Sequence, residues 1–458
     1  MLSSRRSAAK TSAPDPVQPM SNQQPAAVVL AGGLGTRMKS DTPKHFHRLL
    51  GRRMVDWVVE AARAVDAEPL VVVTSPQGVS EFDGIQTAVQ AEPRGTGDAL
   101  AAARQALDGV ASDLFVLSGD APVVSPKLLH DLLEAHRREG AAATILSFRP
   151  PDPREYGRVI RGGDGSVQAI VEAGDASPDE LAVDEVNSSI YVFAADRVWP
   201  ALDQLDTANE QGELYLTDAV RALVENGEHV AAYVAPDPVE AEGVNTRAEL
   251  AAAASALRDR INQEHMLAGV TIVDPQTTWI EPDVKIEPDA EIHPFTVIQG
   301  TSKIAAGAVV GPHAVVVDAE IGPGATVGPF CYLRPGTHLD AGAKAGTFVE
   351  IKNSRIGVSA KVPHLSYIGD AVVGEGTNIG AGAITANYRP ELGPGKFRTE
   401  IGRNVHTGVH NVFVAPVTLG DNAWVAAGSV VTKNVPPGAL AIARSRQANK
   451  EGYDDRQR

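Results

Sequence analysis

The 458-residue sequence is poor in cysteine, in aromatic residues and in positive charge, and these shortages exclude several classes of protein. Its one cysteine, Cys331, cannot form an internal disulfide bond, which fits a reducing compartment. The 41 Lys and Arg residues are outnumbered by 57 Asp and Glu residues, and a formal charge of -16 repels nucleic acid and anionic lipid. No apolar run approaches the roughly 20 residues that cross a bilayer. The sequence therefore predicts a cytoplasmic protein without nucleic-acid or membrane partners, although a few cations in a cleft could still hold small anionic substrates.

The N-terminal segment is polar and rich in proline. Arg5 and Arg6 resemble the start of a twin-arginine export signal, but the apolar segment that export requires does not follow them. Residues 1–24 are therefore predicted to be a disordered extension. Translation from Met1 and translation from Met20 are both compatible with this sequence.

The length and the pattern of apolar residues predict more than one domain, since single cores stop growing at roughly 250 to 300 residues. Over residues 25–246, short Val/Ile/Leu-rich runs alternate with Ala/Leu-rich segments, which is typical of a Rossmann-like α/β domain with a mostly parallel sheet. Residues 247–269 keep a helical spacing of apolar side chains and are predicted to form a helical linker arm. Residues 270–443 form a repeat array, and residues 444–458 are left as a C-terminal tail.

The array repeats every six residues, which neither a helix nor an alternating strand explains. Small residues keep the same step four positions after each aliphatic residue. We interpret each six-residue unit as one short strand and a turn of a triangular coil, with the aliphatic side chain pointing inward. Cys331 occupies a small-residue position, which favours a packing role over a catalytic thiol. The repeated aliphatic positions are Ile286, Ile292, Ile298, Ile304, Val310 and Val316, then Ile321, Val327, Leu333, Leu339, Ala345 and Ile351, and finally Ile401, Phe413, Leu419, Val425 and Val431.

A glycine-rich segment follows the first predicted strand. Glycine lets the backbone approach phosphate oxygens, and the helix start that follows presents free N–H groups to an anion. Taken alone the segment is a weak indication, because it lacks the last glycine of the dinucleotide motif and the Lys-Ser/Thr of the Walker motif. Further motifs follow it in order, and an ordered set indicates a nucleotidyltransferase where a lone Lys or Asp would not. The set is Leu30-Ala31-Gly32-Gly33-Leu34-Gly35-Thr36-Arg37, Pro43-Lys44, Gln90-Ala91-Glu92, Gly95-Thr96-Gly97 and Ser118-Gly119-Asp120.

In this order the motifs resemble the sugar-1-phosphate nucleotidyltransferases. Together with the six-residue repeats they resemble the bifunctional N-acetylglucosamine-1-phosphate uridylyltransferases / glucosamine-1-phosphate acetyltransferases, from residue 26 to about residue 453. The resemblance implies a left-handed parallel β-helix at the C-terminus, a homotrimer, and Mg²⁺, UTP and acetyl-CoA as cofactor and co-substrates. It further implies acetyl transfer to glucosamine-1-phosphate, followed by uridylyl transfer to N-acetylglucosamine-1-phosphate with release of pyrophosphate. The product, UDP-N-acetylglucosamine, would supply peptidoglycan and other envelope precursors.

The resemblance implies a set of uridylyltransferase residues. Attack of a sugar phosphate on UTP brings two anions together, and a hard divalent cation with fixed cations offsets their repulsion. In the sugar part, Ser188 and Ser189 stand where the family usually has Thr-Gly, so a side chain at position 189 could narrow the pocket. The implied contacts are Arg37 and Lys44 to phosphate, Gln90 and Thr96 to uracil, Asp120 and Asn245 to Mg²⁺, and Gly157, Glu172 and Asn187 to the sugar. The remaining nucleotide-binding positions are Leu30, Ala31, Gly32, Gly33, Gly95, Ser118 and Gly119.

The resemblance implies a second set of residues in the coil. Histidine has an ordinary pKa near 6.5 and can accept a proton from an ammonium group at neutral pH. The matching histidine, His364, is expected to be the base, with Glu350 orienting it. Val409 and His410 depart from the family, which usually has Ser and an acidic residue or Asn there, so acetyl-CoA binding is expected to weaken. The other implied residues are Arg334 and Lys352 for the sugar phosphate, Tyr367 and Asn378 for the sugar, and Ala381, Asn387, Tyr388, Val409, Ala427 and Arg444 around acetyl-CoA.

Two alternatives remain open at this point. The chain could be a nucleotidyltransferase alone, with the coil as a trimerising scaffold, which the Val409 departure permits. It could also be a nucleotide-sensing assembly protein that binds UTP without turnover. The presence of Arg37, Lys44, Asp120 and Asn245 argues against the second alternative.

Overall fold

The computed structural model describes residues 24–33, 35–109, 113–153 and 155–453. The predicted disordered extension lies outside these residues, except for Gln24. The described chain forms two compact units, the first made of residues 24–33 and 57–243 and the second of residues 35–56 and 244–453. Within the described residues, no helix combines the length and apolar character needed to span a membrane.

The first unit is built around a nine-stranded sheet with the order β11-β7-β10-β6-β1-β4-β5, to which the hairpin of β8 and β9 is joined through β10. Strand β1 pairs in parallel with β4 and β6, while β10 is antiparallel to β6 and β7. Short Val/Ile/Leu-rich runs of the sequence, at residues 26–30, 70–74, 114–117 and 143–148, lie in strands, and the mostly parallel α/β fold is confirmed. The strands before the coil are β1 (Ala26–Leu30), β2 (Arg48–Leu49), β3 (Arg52–Arg53), β4 (Leu70–Thr74), β5 (Gln86–Val89), β6 (Asp113–Ser118), β7 (Ala143–Phe148), β8 (Arg158–Arg161), β9 (Val167–Val171), β10 (Val186–Ala194) and β11 (Val230–Val234). Of these, β2 and β3 form a separate two-stranded ribbon in the second unit.

The helices begin and end where local sequence provides caps. Ser125 accepts a hydrogen bond from the backbone N–H of Leu128, Pro126 starts the helix, and Gly140 ends it with a φ of 59°. The α-helices are α1 (Met54–Arg63), α2 (Thr96–Ala102), α3 (Pro126–Glu139), α4 (Pro178–Leu181), α5 (Ala195–Leu202), α6 (Leu216–Glu225) and α7 (Arg247–Leu267). Short 3₁₀ turns cover Thr36–Met38, Lys44–Phe46, Pro76–Glu81, Arg104–Leu107, Pro238–Ala241 and Pro390–Leu392.

The second unit consists of residues 35–56 and the chain from residue 244 onward, and helix α7 lies near the start of the latter. Thr246 and Glu249 form a reciprocal capping box at its start. Leu257 and Ile261 are buried, and the buried amide of Asn262 donates to the carbonyl oxygens of Pro275 and Thr278. These contacts fix the helix against the chain that enters the coil.

The coil consists of short parallel strands on three faces, and the predicted β-helix is confirmed. The first face contains Thr271–Ile272, Glu291–Ile292, Val309–Val310, Thr326–Val327, Lys344–Thr347 and Lys361–His364, and the later strands His406–Thr407, Trp424–Val425 and Leu440–Ala441 join it through bridges at Asn378. The second contains Trp279–Ile280, Val297–Gln299, Val315–Val317, Tyr332–Leu333, Glu350–Lys352, Tyr367–Gly369, Ile384–Ala386, Val412–Val414 and Val430–Val431. The third contains Lys285–Ile286, Lys303–Ile304, Glu320–Ile321, His338–Leu339, Arg355–Ile356, Ala371–Val373, Thr399–Ile401 and Val417–Leu419.

Strand register explains why the repeats in the sequence break. Val297 pairs with Val315, 18 positions later, so one turn of the coil takes three six-residue units. Val315 pairs with Tyr332, 17 positions later, so this turn is one residue shorter and shifts the repeat after Val316. Ile384 pairs with Val412, 28 positions later, because the loop 387–397 is inserted in that turn.

The inward positions are filled as the sequence predicted. Ile298, Val316 and Leu333 are fully buried, and Cys331 is buried with its thiol donating to the carbonyl oxygen of Val349. Burial raises the pKa of the Cys331 thiol to about 12, so a reactive thiolate is disfavoured. The packing role of Cys331 follows from this environment.

Candidate active sites

The ends of parallel strands bring the first motifs of the first unit together. Leu30, the last residue of β1, is aligned with Ser118, the last residue of β6. The backbone N–H of Gly119 donates to the carbonyl oxygen of Leu30, and the hydroxyl of Ser118 donates to Oδ1 of Asp120 at 2.6 Å. Ligands of open α/β sheets bind outside the carboxyl ends of the strands, and Ala31 and Asp120 stand at that edge.

The predicted uracil-reading residues are both held by the first unit. Gln90 is buried, and its Nε2 atom donates to the carbonyl oxygen of Gly95 at 3.0 Å. The hydroxyl oxygen of Thr96 accepts the backbone N–H of Leu216 at 3.0 Å, which leaves the hydroxyl hydrogen available to a ligand. Both side chains are therefore fixed before a nucleotide binds.

The predicted sugar contacts also come together. The backbone N–H of Asn187 donates to the carbonyl oxygen of Gly157, and a Cβ on Gly157 would lie 3.3 Å from the carboxylate of Glu172. Thr217 donates to Glu172 at 3.1 Å, although burial still raises the pKa of Glu172. A cavity of about 300 Å³ opens beside Glu172 and Tyr215. Of the predicted sugar contacts, Glu172 lines this cavity, whereas Gly157 and Asn187 do not.

The two serines after Asn187 form an irregularity in β10. Ser188 donates to the carbonyl oxygen of Leu146 and is buried. Ser189 has a φ of 62°, in the left-handed region that favours glycine, and its backbone N–H donates to Oδ1 of Asn187. The chain thus keeps the backbone conformation that glycine would adopt and adds a hydroxymethyl group at position 189.

Three predicted phosphate and metal residues meet in the second unit. Nη2 of Arg37 and Nζ of Lys44 both donate to Oδ1 of Asn245, at 3.0 Å and 2.9 Å. The backbone N–H of Asn245 donates to Glu249, so the start of α7 holds the amide in place. Gly35 has a φ of 65°, and a Cβ there would collide with the side chain of Lys44, so this turn requires glycine. Two cations therefore converge on one amide oxygen.

The second face of the coil aligns the predicted sugar-phosphate residues. Tyr332, Glu350 and Tyr367 occupy the same register position in successive strands. Nη1 of Arg334 donates to Oε1 of Glu350 at 2.8 Å, and this hydrogen bond is the main cause of the raised pKa of Arg334. Within the described chain, no hydrogen bond joins Glu350 to His364. The structure thus pairs Glu350 with the predicted phosphate ligand Arg334.

The side chain of Tyr367 packs against Gly369. A Cβ on Gly369 would collide with the hydroxyl of Tyr367 and would lie 2.7 Å from Nδ2 of Asn387. That Nδ2 atom donates to the hydroxyl of Tyr367 at 3.3 Å and to Asp370 at 2.6 Å. Gly369 and Asp370 thus support the predicted sugar residue Tyr367 and the predicted acetyl-CoA residue Asn387. Sequence motifs did not reveal this support, because only the pairing of distant strands brings these residues to Asn387.

One corner of the coil stacks the predicted base on the predicted acetyl-CoA residues. Backbone hydrogen bonds join successive turns at this corner. Each runs from a backbone N–H to a carbonyl oxygen one turn earlier: Gly382 to His364, His410 to Ala381, and Gly428 to Val409. The donors directly follow Ala381, Val409 and Ala427 in the chain. His364, Ala381, Val409 and Ala427 therefore form a column, which we call the corner column. His364 and Val409 are exposed. The column therefore places the predicted base next to the predicted acetyl-CoA residues on one edge of the coil.

The inserted loop adds a cation that the sequence motifs did not reveal. Nζ of Lys396 lies 4.3 Å from the ring centroid of Tyr388, which is 61% exposed. Lys396 lacked a sequence indication because its neighbours come from a loop without repeats.

Two further predicted residues lie elsewhere on the coil. Arg444 is exposed, and its Cδ lies 3.9 Å from the point where a Cβ on Gly428 would stand. Asn378 bridges the strands of Lys361 and His406 through its backbone.

The fold and these two groups of side chains define a nucleotidyltransferase joined to a β-helix transferase. The model of the MobA-like NTP transferase domain matches residues 27–230. The chain is 47% identical over 465 residues to the Bifunctional protein GlmU of Streptomyces avermitilis, with 96% of each chain covered. It is 44% identical over 467 residues to the protein of that name from Thermobifida fusca, again over 96% of each chain. The corresponding protein of Caldanaerobacter subterraneus subsp. tengcongensis is 43% identical over 449 residues, which cover 93% of this chain and 97% of that one.

The chain belongs to the family of bifunctional GlmU proteins. It is an enzyme with glucosamine-1-phosphate acetyltransferase and uridylyltransferase activities, which together form UDP-N-acetylglucosamine for peptidoglycan synthesis. The resemblance stated from the sequence motifs is thereby confirmed, as are the two activities.

Proposed function

We propose that the two groups of side chains described above are the two active sites of this transferase, with uridylyl transfer assigned to residues 25–246 and acetyl transfer to residues 270–443. Residues 247–269 link them. Acetyl transfer to glucosamine-1-phosphate comes first, because its product is the acceptor for UTP. The observation that carries the acetyltransferase assignment is the corner column, in which His364 stacks with Ala381 and Val409.

The uridylyltransferase site combines oxygen ligands and cations. Asp120 and Asn245 would hold Mg²⁺ through a carboxylate and an amide oxygen, which are the hard donors that this ion prefers. When bound, the ion supplies positive charge to the phosphates of UTP. Arg37 and Lys44 neutralise the phosphate chain and the departing pyrophosphate. Their present convergence on Asn245 shows that both side chains reach the same small volume.

Base and sugar are recognised by the residues that the first unit has already fixed. Gln90 and Thr96 read the uracil, while Gly157, Glu172 and Asn187 contact N-acetylglucosamine. Glu172 is half-buried, lines the cavity and accepts one hydrogen bond from Thr217, so it can accept a further hydrogen bond from a sugar hydroxyl. The glycine loop of residues 30–33 and the segment Ser118–Gly119 complete the nucleotide pocket.

At the coil, His364 accepts a proton from the ammonium group of glucosamine-1-phosphate, and the resulting amine attacks the thioester carbonyl of acetyl-CoA. The C–N bond forms as the C–S bond breaks, and the departing thiolate of coenzyme A takes the second proton of the attacking nitrogen and leaves as the thiol. Arg334 and Lys352 bind the sugar phosphate. Tyr367 and Asn378 bind the sugar. Ala381, Asn387, Tyr388, Val409, Ala427 and Arg444 border acetyl-CoA, and we add Lys396 from the inserted loop as a further cation for phosphate.

Replacement of His364 tests the acetyltransferase assignment. His364→Ala is expected to lower thiol release from acetyl-CoA by at least about 100-fold, since general base catalysis contributes roughly 10² to 10⁴. The measurement is thiol release with glucosamine-1-phosphate, and UTP-dependent pyrophosphate release shows that the variant is folded. His338→Ala, another exposed histidine of the coil, should release thiol normally. Thiol release at the wild-type rate in His364→Ala would remove His364 as the base.

A homotrimer and a cytoplasmic location complete the proposal. Exposed apolar side chains at one corner of the coil, among them Phe295, Phe330, Phe348 and Leu365, support an assembly that covers them. Sedimentation of the purified chain at three times its own mass would agree with the trimer. The cytoplasmic location rests on the free, buried Cys331 and on substrates that are made inside the cell.

A further inference from the structure

The amide of Gln90 is fixed by a residue that has no role in the site proposed above. Only 7% of Gln90 is exposed. Its Nε2 atom donates one hydrogen bond to the carbonyl oxygen of Gly95 and one to Oδ2 of Asp98, and each is 3.0 Å long. An amide nitrogen carries two hydrogens, so both donors of Gln90 are used.

The oxygen of the same amide faces the glycine loop. Oε1 of Gln90 lies 2.9 Å from the point where a Cβ on Gly32 would stand. Because position 32 is glycine, that point is empty. Among the described residues none donates a hydrogen bond to this oxygen. Gln90 therefore offers an acceptor, and no donor, to a base in the proposed pocket.

Asp98 is itself held in place. It lies in the first turn of α2, its side chain is 15% exposed, and Arg94 donates to its other oxygen at 2.7 Å. An ionised carboxylate has no hydrogen to donate. If the amide of Gln90 turned over, Oε1 would therefore face two acceptors, the carbonyl oxygen of Gly95 and the carboxylate of Asp98.

We propose that Asp98 is a positioning residue that sets the base specificity of uridylyl transfer, by making Gln90 present its carbonyl oxygen to the base. This inference rests on the uracil contact proposed for Gln90. Uracil carries an N–H at N3, which that oxygen can accept. Cytosine carries a lone pair at N3, so two acceptors would oppose each other and the nucleotide is rejected.

The ratio of kcat/KM for UTP to kcat/KM for CTP tests this role, measured as pyrophosphate release with N-acetylglucosamine-1-phosphate as acceptor. The ratio does not depend on the fraction of enzyme that is folded. Asp98→Ala removes one of the two acceptors that oppose turning of the amide, and we expect the ratio to fall about tenfold. Asp98→Asn should lower the ratio as well, because Arg94 donates to the one oxygen that remains and the amide nitrogen then faces Gln90 as a donor. Arg94→Ala, which removes only the exposed partner of Asp98, should keep the ratio.

An unchanged ratio in Asp98→Ala, or in Asp98→Asn, would overturn the proposal. If Asp98→Ala turns over neither nucleotide, calorimetric Kd values for UTP and CTP give the same ratio at equilibrium. Gln90→Ala distinguishes the uracil contact of Gln90 from the positioning role of Asp98. A wild-type ratio in Gln90→Ala contradicts the uracil contact itself, whereas a fall there without a fall in Asp98→Ala contradicts only the role of Asp98.

Discussion

Single residues in both sites are held by polar partners that are far away in sequence. Lys44 donates to Asn245, and Arg334 donates to Glu350. Such charge-assisted hydrogen bonds are roughly twice as strong as neutral ones, and they fix long flexible side chains before substrate binds. Ser189, in contrast, is a source of strain, because its backbone adopts a left-handed conformation that is unfavourable for a residue with a side chain.

A buried histidine makes the stability of the first unit depend on pH. His136 in α3 is 2% exposed and shares a hydrogen bond with Thr144. Burial lowers its pKa below the ordinary value of 6.5, although Asp113 opposes this shift. The unfolded chain therefore binds the proton more readily, so the stabilisation is complete above pH 6.5 and is lost as pH falls below it.

We expect the melting temperature of the first unit to fall with decreasing pH below 6.5. His136 should lower the free energy of unfolding by at most about 1.4 kcal/mol per pH unit. His136→Gln should flatten that part of the profile. His130→Gln is the matched control, because His130 lies on the same helix with its side chain 62% exposed. Thermal melts followed by circular dichroism at several pH values make the comparison. An identical slope in His136→Gln and wild type would contradict the prediction.

At the scale of elements, the short ribbon of β2 and β3 is fixed to the start of the coil, within the second unit. Arg52 at one side of its turn donates to Asp283 at 2.6 Å. Gly51 in the turn has a φ of 81°, and a Cβ there would lie 2.7 to 2.9 Å from the carboxylate atoms of Glu281. The same chain segment carries Lys44, so the ribbon anchors the loop that holds this proposed phosphate ligand.

Gly51→Ala is expected to destabilise the second unit by about 2 to 3 kcal/mol and to raise KM for UTP, because backbone strain and the contact with Glu281 act together. Gly140→Ala provides the control: its φ is 59°, but no atom lies within 4 Å of the added Cβ. That change should cost only about 1 kcal/mol of strain. Thermal melts and UTP kinetics measure both. Adding Glu281→Ala should restore part of the loss, and no recovery in the double variant would contradict the contact.

At the scale of the whole molecule, the proposed sites assign the two activities to different residues. The proposed acetyltransferase residues all lie in the second unit, whereas Asp120 lies in the first. Acetyl transfer therefore has no direct need of Asp120.

Asp120→Ala is expected to abolish pyrophosphate release and to leave thiol release unchanged, because it removes a proposed Mg²⁺ ligand without touching the coil. Parallel assays of pyrophosphate and thiol on one preparation measure both activities. Asp131→Ala, which removes an aspartate of the first unit without a proposed role, should leave both intact. Loss of both activities in Asp120→Ala would show that the sites are not independent.

The sequence by itself determined the α/β fold, the β-helix and the family, because these depend on local patterns: apolar runs, a six-residue period and motifs in a set order. It also identified the residues for which roles are proposed here, except Lys396 and Asp98. Those roles remain predictions.

Only the tertiary structure decided which of these residues meet. The turns of 17 and 28 residues bring His364, Ala381 and Val409 to one corner, and no local pattern gives that register. The position of residues 35–56 in the second unit was likewise not visible, because it depends on contacts with α7 and the coil. The fold was predictable because burial repeats along the chain, whereas contacts such as Gln90 with Asp98 depend on the side-chain geometry of one loop.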